Sequence, residues 1–318
     1  MISNPLPEDA LVTQFYAALT GEALLHLSGP DALTFLQGQT TCDTRLVDDS
    51  SAVAGVYCTP QGRVVCDFLL VQLGHEHVAL RLRRDIRAHA AQVFGKYVVF
   101  SKARFDADND DWQCLALWGP DVAKGIRHCF GDAPQGLYAQ VSGDGSVVLQ
   151  TNAEGTQFEC YLQADSAHRQ ALEQTMSQAD ESEWRRQQIN AGIVRIESST
   201  QETLVPQVAN YDLTGHISFS KGCYTGQEVV ARLHYRGTSK RRTYLAQLPQ
   251  AAQTGDSVYV QDSEQSVGDI VNVDNSPPCL ALVSATRTGA AQGLRLGAPD
   301  GPPIELLQLP YSLDDEKA

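Results

Sequence analysis

The tripeptide Gly-Pro-Asp occurs twice in the chain, at 29–31 and again at 119–121. Each copy follows a short apolar run, Glu22–Leu27 or Cys114–Trp118, with the length and composition of a β-strand. Proline fits the first turn of a helix, so each copy predicts a junction between a strand and a helix. The repetition of this junction predicts two similar α+β halves, each a sheet with helices on one side.

Beyond Arg242 the chain changes to short apolar runs separated by Gly, Pro, Asn and Asp residues. This spacing is typical of an antiparallel barrel or sandwich, in which short strands alternate with tight turns. The predicted strands are Thr243–Leu248, Ser257–Gln261, Val267–Val273, Leu280–Val283 and a last strand near Ile304–Leu307. The fold class predicted from the whole pattern is α+β, with an all-β C-terminal part.

Length and charge limit the number of domains and the classes of partner. A chain of 318 residues exceeds what one hydrophobic core usually supports, which predicts two or three domains. The formal net charge of −14 disfavours sequence-independent binding to nucleic acid, so no direct nucleic-acid contact is expected. No apolar run has the length of a bilayer span, and residues 1–15 lack the pattern of a secretory signal. The expectations are no membrane contact and a cytoplasmic location.

The eight cysteines are scattered, at positions 42, 58, 66, 114, 129, 160, 223 and 279. None forms a Cys-x-x-Cys pair, and none joins histidines at the spacing of metal ligands. The sequence therefore predicts no local zinc or iron–sulfur site, and most of these thiols are expected in the core. A cluster shared by distant cysteines is left open by this pattern.

The segment His216–Gly237 concentrates the residues that can carry chemistry. Within it, Thr225–Glu228 has the pattern of a capping box, a hydroxyl at the helix start and a carboxylate three residues later. The helix that follows is expected to end at Gly237 and to bury one apolar face, made of Val229, Val230 and Leu233. Cys223 would then lie just before a helix start, two residues from Lys221.

That position permits two interpretations of Cys223. The partial positive charge of a helix start and a nearby ammonium both favour the thiolate, and Gly222 and Gly226 would let a ligand approach closely. Alternatively, Cys223 is a small buried hydrophobic residue and the glycines only shape a turn. The spacing alone does not decide between them.

The run Lys221–Glu228, continued by Val229–Arg232 and Tyr235–Gly237, resembles the signature of the YgfZ family. Proteins of this family bind folate and are related to the aminomethyltransferase (T-protein) of the glycine cleavage system. Further similar stretches are Phe35–Asp43, Arg186–Gly192, Arg195–Glu197, Pro206–Gln207 and Asn210. The resemblance implies three domains around a folate pocket: a ferredoxin-like α+β unit at 1–110, a second α+β domain with the signature at 111–241, and an antiparallel β-barrel at 242–318.

The resemblance also implies a set of site residues. Asp43 would lie beside the reactive folate nitrogen, and Glu197 would hold the pterin edge, whose adjacent N–H donors suit a bidentate carboxylate. The other candidate folate contacts are two amides for the pterin nitrogens, three cations for the glutamate tail and two rings to cover the pterin: Gln207, Asn210, Lys221, Arg232, Arg236, Tyr224 and Tyr235. For Gln207 and Asn210 the alternative is that they only tie down their loop.

The function implied by the resemblance is binding of tetrahydrofolate, or another reduced folate, in support of iron–sulfur cluster assembly or repair. The partners would be client enzymes, some of which modify tRNA, and the thiol of Cys223 would contact a transient cluster, an iron or a client thiol. A first alternative is a folate-dependent aminomethyl or one-carbon transferase that uses Asp43 to position or deprotonate the nucleophilic centre. A second is a cysteine hydrolase with Cys223 as nucleophile and His216 or His234 as base. The resemblance to a transferase leaves open whether the protein is an enzyme.

Overall fold

A computed structural model describes residues 13–313, so residues 1–12 and 314–318 lie outside the description. The expectation that residues 1–15 do not form a secretory signal concerns mostly residues outside this range. The helices are Ala32–Gln39 (α1), Arg87–Gly95 (α2), Val122–Phe130 (α3), His168–Thr175 (α4), Glu181–Asn190 (α5), Gln227–Arg236 (α6) and Arg287–Gln292 (α7). Within residues 13–313, no helix combines the length and the apolar character that crossing a membrane requires.

Seventeen strands lie in the described part of the chain. Those before residue 111 are Phe15–Ala18 (β1), Glu22–Ser28 (β2), Val53–Cys58 (β3), Val64–Gly74 (β4), His77–Arg83 (β5) and Arg104–Asp106 (β6). The next five are Trp112–Trp118 (β7), Gln140–Gly143 (β8), Ser146–Gln150 (β9), Gln157–Gln163 (β10) and Ser177–Gln178 (β11). The last six are Arg241–Gln247 (β12), Ser257–Tyr259 (β13), Gly268–Asp274 (β14), Leu280–Thr286 (β15), Arg295–Leu296 (β16) and Glu305–Leu307 (β17).

The chain forms two compact units. One contains the residues up to Leu19 together with Asp111–Glu181, and the other contains Thr20–Asp110 and the chain from Ser182 onward. The signature segment thus belongs to the same unit as residues 20–110. The predicted boundaries of three domains, near residues 110 and 241, stay a prediction.

Each unit contains a sheet of the same design. In one, the strand order is β3-β4-β5-β2-β6, and in the other it is β8-β9-β10-β7-β1, with β11 added parallel to β1. Apart from that addition, the neighbouring strands are antiparallel in both sheets. The prediction of two similar α+β halves is confirmed, although the place that β6 occupies in one sheet is taken in the other by β1, from the start of the chain.

The two Gly-Pro-Asp junctions are built alike. Gly29 and Gly119 have φ of 123° and 128°, and a Cβ on either would overlap a backbone carbonyl, that of Lys102 or of Thr13. Only glycine tolerates both the conformation and the contact. The turn also delays the helix: α1 begins at Ala32, after the junction, rather than within it.

The C-terminal strands form a sheet in the order β16-β13-β14-β15-β12-β17, with antiparallel pairs throughout. Its two edges approach each other, because Leu296 N donates to Pro302 O and Ile304 N donates to Leu294 O. One bridge, between Arg295 and Pro303, marks this junction. The sheet is therefore curled, and the predicted barrel is matched only in part. The sequence missed α7 and β16, which are too short to show a period.

The long connection between α5 and α6 is held by a buried arginine near its start. The Arg195 guanidinium donates to both oxygens of Glu22, at 3.2 and 2.9 Å, and to Asp67 Oδ2 at 2.6 Å. Its backbone N–H and C=O pair with the side-chain amide of Asn272. Arg195 therefore joins β2 and β4 to β14, all within one unit.

Glu22 is ionised in this network. Burial opposes its charge, but attraction from Arg195, Arg81 and Arg83 outweighs burial and lowers the pKa of Glu22 to about 2. A buried carboxylate held by several cations depends on all of them, because removal of one partner leaves an uncompensated charge in a medium of low polarity.

We expect Arg195→Ala to lower the free energy of unfolding by about 3–5 kcal/mol, because two buried carboxylates lose their main partner. The matched control is Arg241→Ala, whose ion pair with Asp269 is exposed and 3.9 Å long; its cost should stay below about 1 kcal/mol. Urea unfolding followed by circular dichroism measures both. Equal effects of the two substitutions would contradict the structural role assigned to Arg195.

Glu22 should also make stability depend on pH. Its pKa of about 2 in the fold lies below its ordinary value of 4.5, so the unfolded chain binds the extra proton first. Stability should therefore be complete above pH 4.5 and fall by about 3 kcal/mol from this group as the pH drops toward 2. Glu22→Gln removes this titration, so its stability, although lower at neutral pH, should fall less steeply in urea unfolding between pH 5 and about 2.

Candidate functional site

Lys221 anchors the signature segment from within. Its buried ammonium donates to the carbonyl oxygens of Gln37, Thr40 and Cys42, at 2.8, 2.6 and 2.7 Å. These oxygens lie at the C-terminal end of α1 and in the residues that follow, where helix carbonyls lack internal partners and the dipole favours a cation. Burial lowers the pKa of Lys221 to about 8, so the side chain remains mainly charged at neutral pH. All three ammonium hydrogens are in use.

The residues around Lys221 pack the segment against the β3–β4 hairpin. The ring of Tyr224 is buried, with the Lys221 ammonium 5.3 Å from its centroid. Gly226 has φ of 83°, and a Cβ there would lie 2.6 Å from Thr59 O. Across the contact, a Cβ on Gly62 would lie 2.8 Å from the Cβ of Val229. Two glycines thus allow the hairpin turn and the start of α6 to touch.

The predicted capping box is wrong. The N-cap of α6 is Gly226, and no side chain caps it. Thr225 instead donates from Oγ1 to Gln39 Oε1 at 3.1 Å. The contact with the hairpin turn requires a left-handed residue directly before the helix, and this shifts the helix start past the threonine. The end of α6 at Gly237 is as predicted.

Cys223 is exposed, whereas Cys279 is half-buried and the other six cysteines are buried. Burial raises the pKa of five of the buried thiols, those of Cys42, Cys58, Cys66, Cys129 and Cys160. These thiols are therefore poorly suited to ionise or to reach a partner molecule. The interpretation of Cys223 as a buried hydrophobic residue is wrong, and Gly222 beside it is exposed with no atom near its missing Cβ.

Asp43 lies where the chain leaves α1, and Arg45 holds it. The Arg45 guanidinium donates to both carboxylate oxygens, from Nε at 2.9 Å and from Nη2 at 2.7 Å, and Gln37 Nε2 donates at 3.1 Å. The hydrogen bonds from Arg45 lower the pKa of Asp43 to about 2. Such a carboxylate is a weak base at neutral pH, because a general base works best with a pKa near the operating pH. The arrangement suits electrostatic attraction rather than proton removal.

Glu197 and the two predicted amides lie on the connection between α5 and α6. Glu197 Oε1 accepts from Arg185 Nη2 at 2.7 Å, and within residues 13–313 its other oxygen accepts no hydrogen bond. Asn210 is buried, donates to Thr243 O of β12 and to the Tyr311 hydroxyl, and accepts from Thr243 N. These contacts support the alternative in which Asn210 ties down its loop.

Gln207 also ties down its loop, but only through the nitrogen of its side-chain amide. Its Nε2 donates to Val230 O of α6 at 2.8 Å, but its buried Oε1 has no hydrogen-bond partner among the described residues. A buried acceptor without a donor costs about 1–3 kcal/mol. This oxygen is therefore the one predicted pterin contact that is both buried and unsatisfied.

The remaining candidates lie on the exposed side of α6. Arg232, Tyr235 and Arg236 are exposed, and neither arginine makes a hydrogen bond or ion pair within residues 13–313. The two arginines are thus free to meet a folate tail, whereas Lys221 would first have to give up a carbonyl. Where folate would lie relative to these residues stays a prediction.

The structure assigns different environments to the two histidines considered as bases. His216 is buried, and burial lowers its pKa to about 4 while its Nδ1 lies 2.9 Å from Thr214 Oγ1. His234 stacks on Phe219 with ring centroids 3.6 Å apart. Within the described part of the chain, neither histidine is hydrogen-bonded to Cys223, and no group of three or more His, Cys, Asp or Glu is arranged to hold a metal.

Sequence reasoning missed the partners of the predicted carboxylates and of Lys221. Arg45 follows Asp43 by two residues, and the sequence could have indicated this pair, because a short loop brings such neighbours together. Arg185 precedes Glu197 across a helix end, and only the fold joins them. The partners of Lys221 are backbone carbonyl oxygens, which every residue has, so no pattern of side chains in the sequence could indicate them.

We expect Gly226→Ala to destabilise the protein by about 1–3 kcal/mol, because it forces a left-handed alanine against the Thr59 carbonyl. Gly222→Ala, four residues earlier, is the matched control. It meets no atom within 4 Å and should change stability by less than about 0.5 kcal/mol. Thermal unfolding of both variants measures the difference. A neutral Gly226→Ala would show that the hairpin does not constrain the start of α6.

The family described as "GCVT N-terminal domain" matches residues 19–138. A "tRNA-modifying protein YgfZ" of Pectobacterium carotovorum subsp. carotovorum (strain PC1) is 29% identical, with 98% of this chain and 96% of the relative covered. A protein of the same description from Sodalis glossinidius (strain morsitans) is 33% identical over 76% of this chain and 73% of the relative.

Among solved structures, the glycine cleavage system aminomethyltransferase T from Bartonella henselae matches with a TM-score of 0.72. The match covers 95% of this chain and 87% of the aminomethyltransferase chain, and the two sequences are 13% identical. At this identity the likeness concerns the fold alone. The sequence relatives match at higher identity, 29% and 33%, over most of their own length. The chain belongs to the YgfZ family.

Proposed function

We propose that this protein binds a reduced folate and supports the assembly or repair of iron–sulfur clusters in client enzymes. The clients would include enzymes that modify tRNA, in keeping with the description "tRNA-modifying protein" carried by its relatives. The observation that carries the proposal is the exposed thiol of Cys223, placed two residues beyond the buried anchor Lys221. A cluster, an iron or a client thiol would be the substrate that meets it.

The anchor gives the thiol a defined position. Lys221 fixes the backbone on one side of Cys223, and Gly226 with the hairpin turn fixes it on the other. A thiol held at both ends of a short segment can be presented to a large partner with little loss of conformational freedom on binding. The exposure of Cys223 leaves its sulfur accessible to such a partner.

The residues predicted for folate have suitable chemistry. A reduced folate, when bound, supplies a pteridine ring with N–H donors at its edge and a glutamate tail with carboxylates. The second oxygen of Glu197 and the buried Gln207 Oε1 are hydrogen-bond acceptors without partners in residues 13–313. Arg232 and Arg236 are cations without partners there. Tyr224 and Tyr235 remain the rings proposed to cover the pterin.

A folate-dependent transferase remains the alternative, and the likeness to aminomethyltransferase T concerns its fold. Of the two roles considered for Asp43 in that reaction, its low pKa favours positioning, because the carboxylate is a weak base. Asp43 would then orient or attract a positively charged centre. A tetrahydrofolate-dependent release of ammonia from an aminomethyl-lipoyl carrier would favour the transferase over the maintenance role.

We expect Glu197→Ala to weaken tetrahydrofolate binding about 10- to 100-fold in calorimetric titration, because a hydrogen bond to an ionised carboxylate contributes about 1.5–3 kcal/mol. Glu228→Ala, which removes an exposed carboxylate on α6, is the matched control and should bind as the wild type does. Cys223→Ala should also retain binding, since the thiol serves the client rather than the ligand.

The thiol is tested separately, in a strain that lacks the protein. Cys223→Ala should fail to restore the activity of iron–sulfur enzymes, whereas Cys279→Ala, at the half-buried cysteine, should restore it. Full restoration by Cys223→Ala would remove the proposed role of the thiol. Unchanged folate binding by Glu197→Ala would remove the proposed pterin contact.

A further inference from the structure

The outward side of α6 carries a group of neighbouring cations without side-chain partners among the described residues. We call the α6 outer face the surface made by Arg232, Tyr235 and Arg236, with Lys240 just beyond the helix. Arg232 and Arg236 are one turn apart and therefore neighbours on the helix surface. Glu228 lies one turn before Arg232, yet no ion pair joins them, and the three cations have no side-chain partner among the described residues.

Elsewhere in the same unit, three arginines that reach the surface hold carboxylates, whereas the exposed Arg104 does not hold one within residues 13–313. Arg45 holds Asp43, Arg84 holds Asp110 and Arg185 holds Glu197. In a protein with a net charge of −14, carboxylates are plentiful. Cations that remain unpaired at adjacent positions are therefore available to an anionic partner.

An ordered aromatic group adjoins these cations. Phe219 and His234 stack in parallel, with centroids 3.6 Å apart and an angle of 11° between the rings. Tyr235 stands edge-on to both, at 75° and 79°, and its hydroxyl donates to Phe219 O at 3.4 Å. Tyr235 nevertheless remains 65% exposed as a whole residue. Tyr235 thus offers a ring of fixed orientation beside Arg232 and Arg236.

The charge of the whole chain does not determine the potential at this face. At physiological ionic strength, charges farther apart than about 8 Å are largely screened, so an approaching phosphate responds mainly to nearby groups. The nearby negative charges are Glu228, one turn before Arg232, and the C-terminal end of α6, with a partial charge of about −0.5. Together they offset part, but not all, of the positive charge of Arg232, Arg236 and Lys240.

We propose that the α6 outer face binds single-stranded RNA, with Arg232, Arg236 and Lys240 on phosphates and Tyr235 stacked on an unpaired base. Cations combined with an exposed aromatic ring are how proteins bind single strands without sequence preference. An acidic peptide would use the cations but leave the ring without a role. The inference goes beyond the proposed function and rests on it only for the choice of RNA among polyanions. It replaces the expectation, drawn from the net charge, that the protein makes no direct contact with nucleic acid.

The first measurement is the fluorescence anisotropy of a labelled oligouridylate of about twelve nucleotides, titrated with the full-length protein. Folate is left out, because its tail is the other anion predicted for these arginines. With three phosphate contacts, a plot of the logarithm of the association constant against the logarithm of the salt concentration should have a slope of about −2. The range to cover is roughly 50 to 200 mM salt. Arg232→Gln combined with Arg236→Gln should weaken binding at least about tenfold at the lower salt and reduce the slope to about −0.7.

The second measurement separates stacking from charge. Tyr235→Ala should weaken binding by roughly tenfold, whereas Tyr235→Phe, which keeps the ring and loses the 3.4 Å hydrogen bond, should bind as the wild type does. Lys102→Gln removes an exposed cation outside α6 and should leave binding unchanged. Circular dichroism confirms that each variant is folded.

Three outcomes would overturn the inference: no binding by the folded wild type at about 50 mM salt, unchanged binding by Tyr235→Ala, or displacement of the RNA by an oligoglutamate of equal charge at equal concentration. The last would identify the face as a site for acidic peptides. Cys223→Ala and Glu197→Ala should both keep RNA binding. Failure of the folate or thiol proposal is thereby distinguishable from failure of this one.

Discussion

The contact of one buried guanidinium with two carboxylates determines where the functional segment lies. Arg195 bonds Glu22 and Asp67 on two strands of one sheet, while its backbone pairs with Asn272 on a strand of the curled sheet. Burying these charges is costly, and the cost is offset only when every partner is in place. This network therefore fixes the start of the connection, and Lys221 fixes its end beside Cys223.

The signature residues divide into anchors and presented groups. Lys221 and Tyr224 face inward, and Gly226 lets α6 approach the β3–β4 hairpin. Cys223 and the cations of the α6 outer face point to solvent. Both kinds of residue are needed, because an exposed thiol or arginine has a defined position only if the backbone beneath it is held. This division accounts for so many polar and charged residues in one short stretch.

The repeated sheet design was readable from the chain because its signal is local. At Gly29 and Gly119 the same backbone turn needs glycine for the same reason, a carbonyl packed against the missing Cβ. The resemblance to the YgfZ signature was also readable, because it rests on a contiguous run. The capping box predicted at Thr225 follows from the local sequence but does not form. The contact with the hairpin turn requires a left-handed glycine, Gly226, at the start of the helix.

By itself, the sequence determined the α+β class, the repeated junction, most strands, the end of α6 and the residues able to carry chemistry. These follow from local period, turn residues and a contiguous motif. Only the tertiary structure decided what those residues do: Lys221 binds carbonyls, Asp43 is clamped by Arg45, Asn210 is used by β12 and Cys223 alone among the cysteines is exposed. The reason is physical, because burial and the choice of partner depend on segments far apart in the chain, which no local pattern specifies.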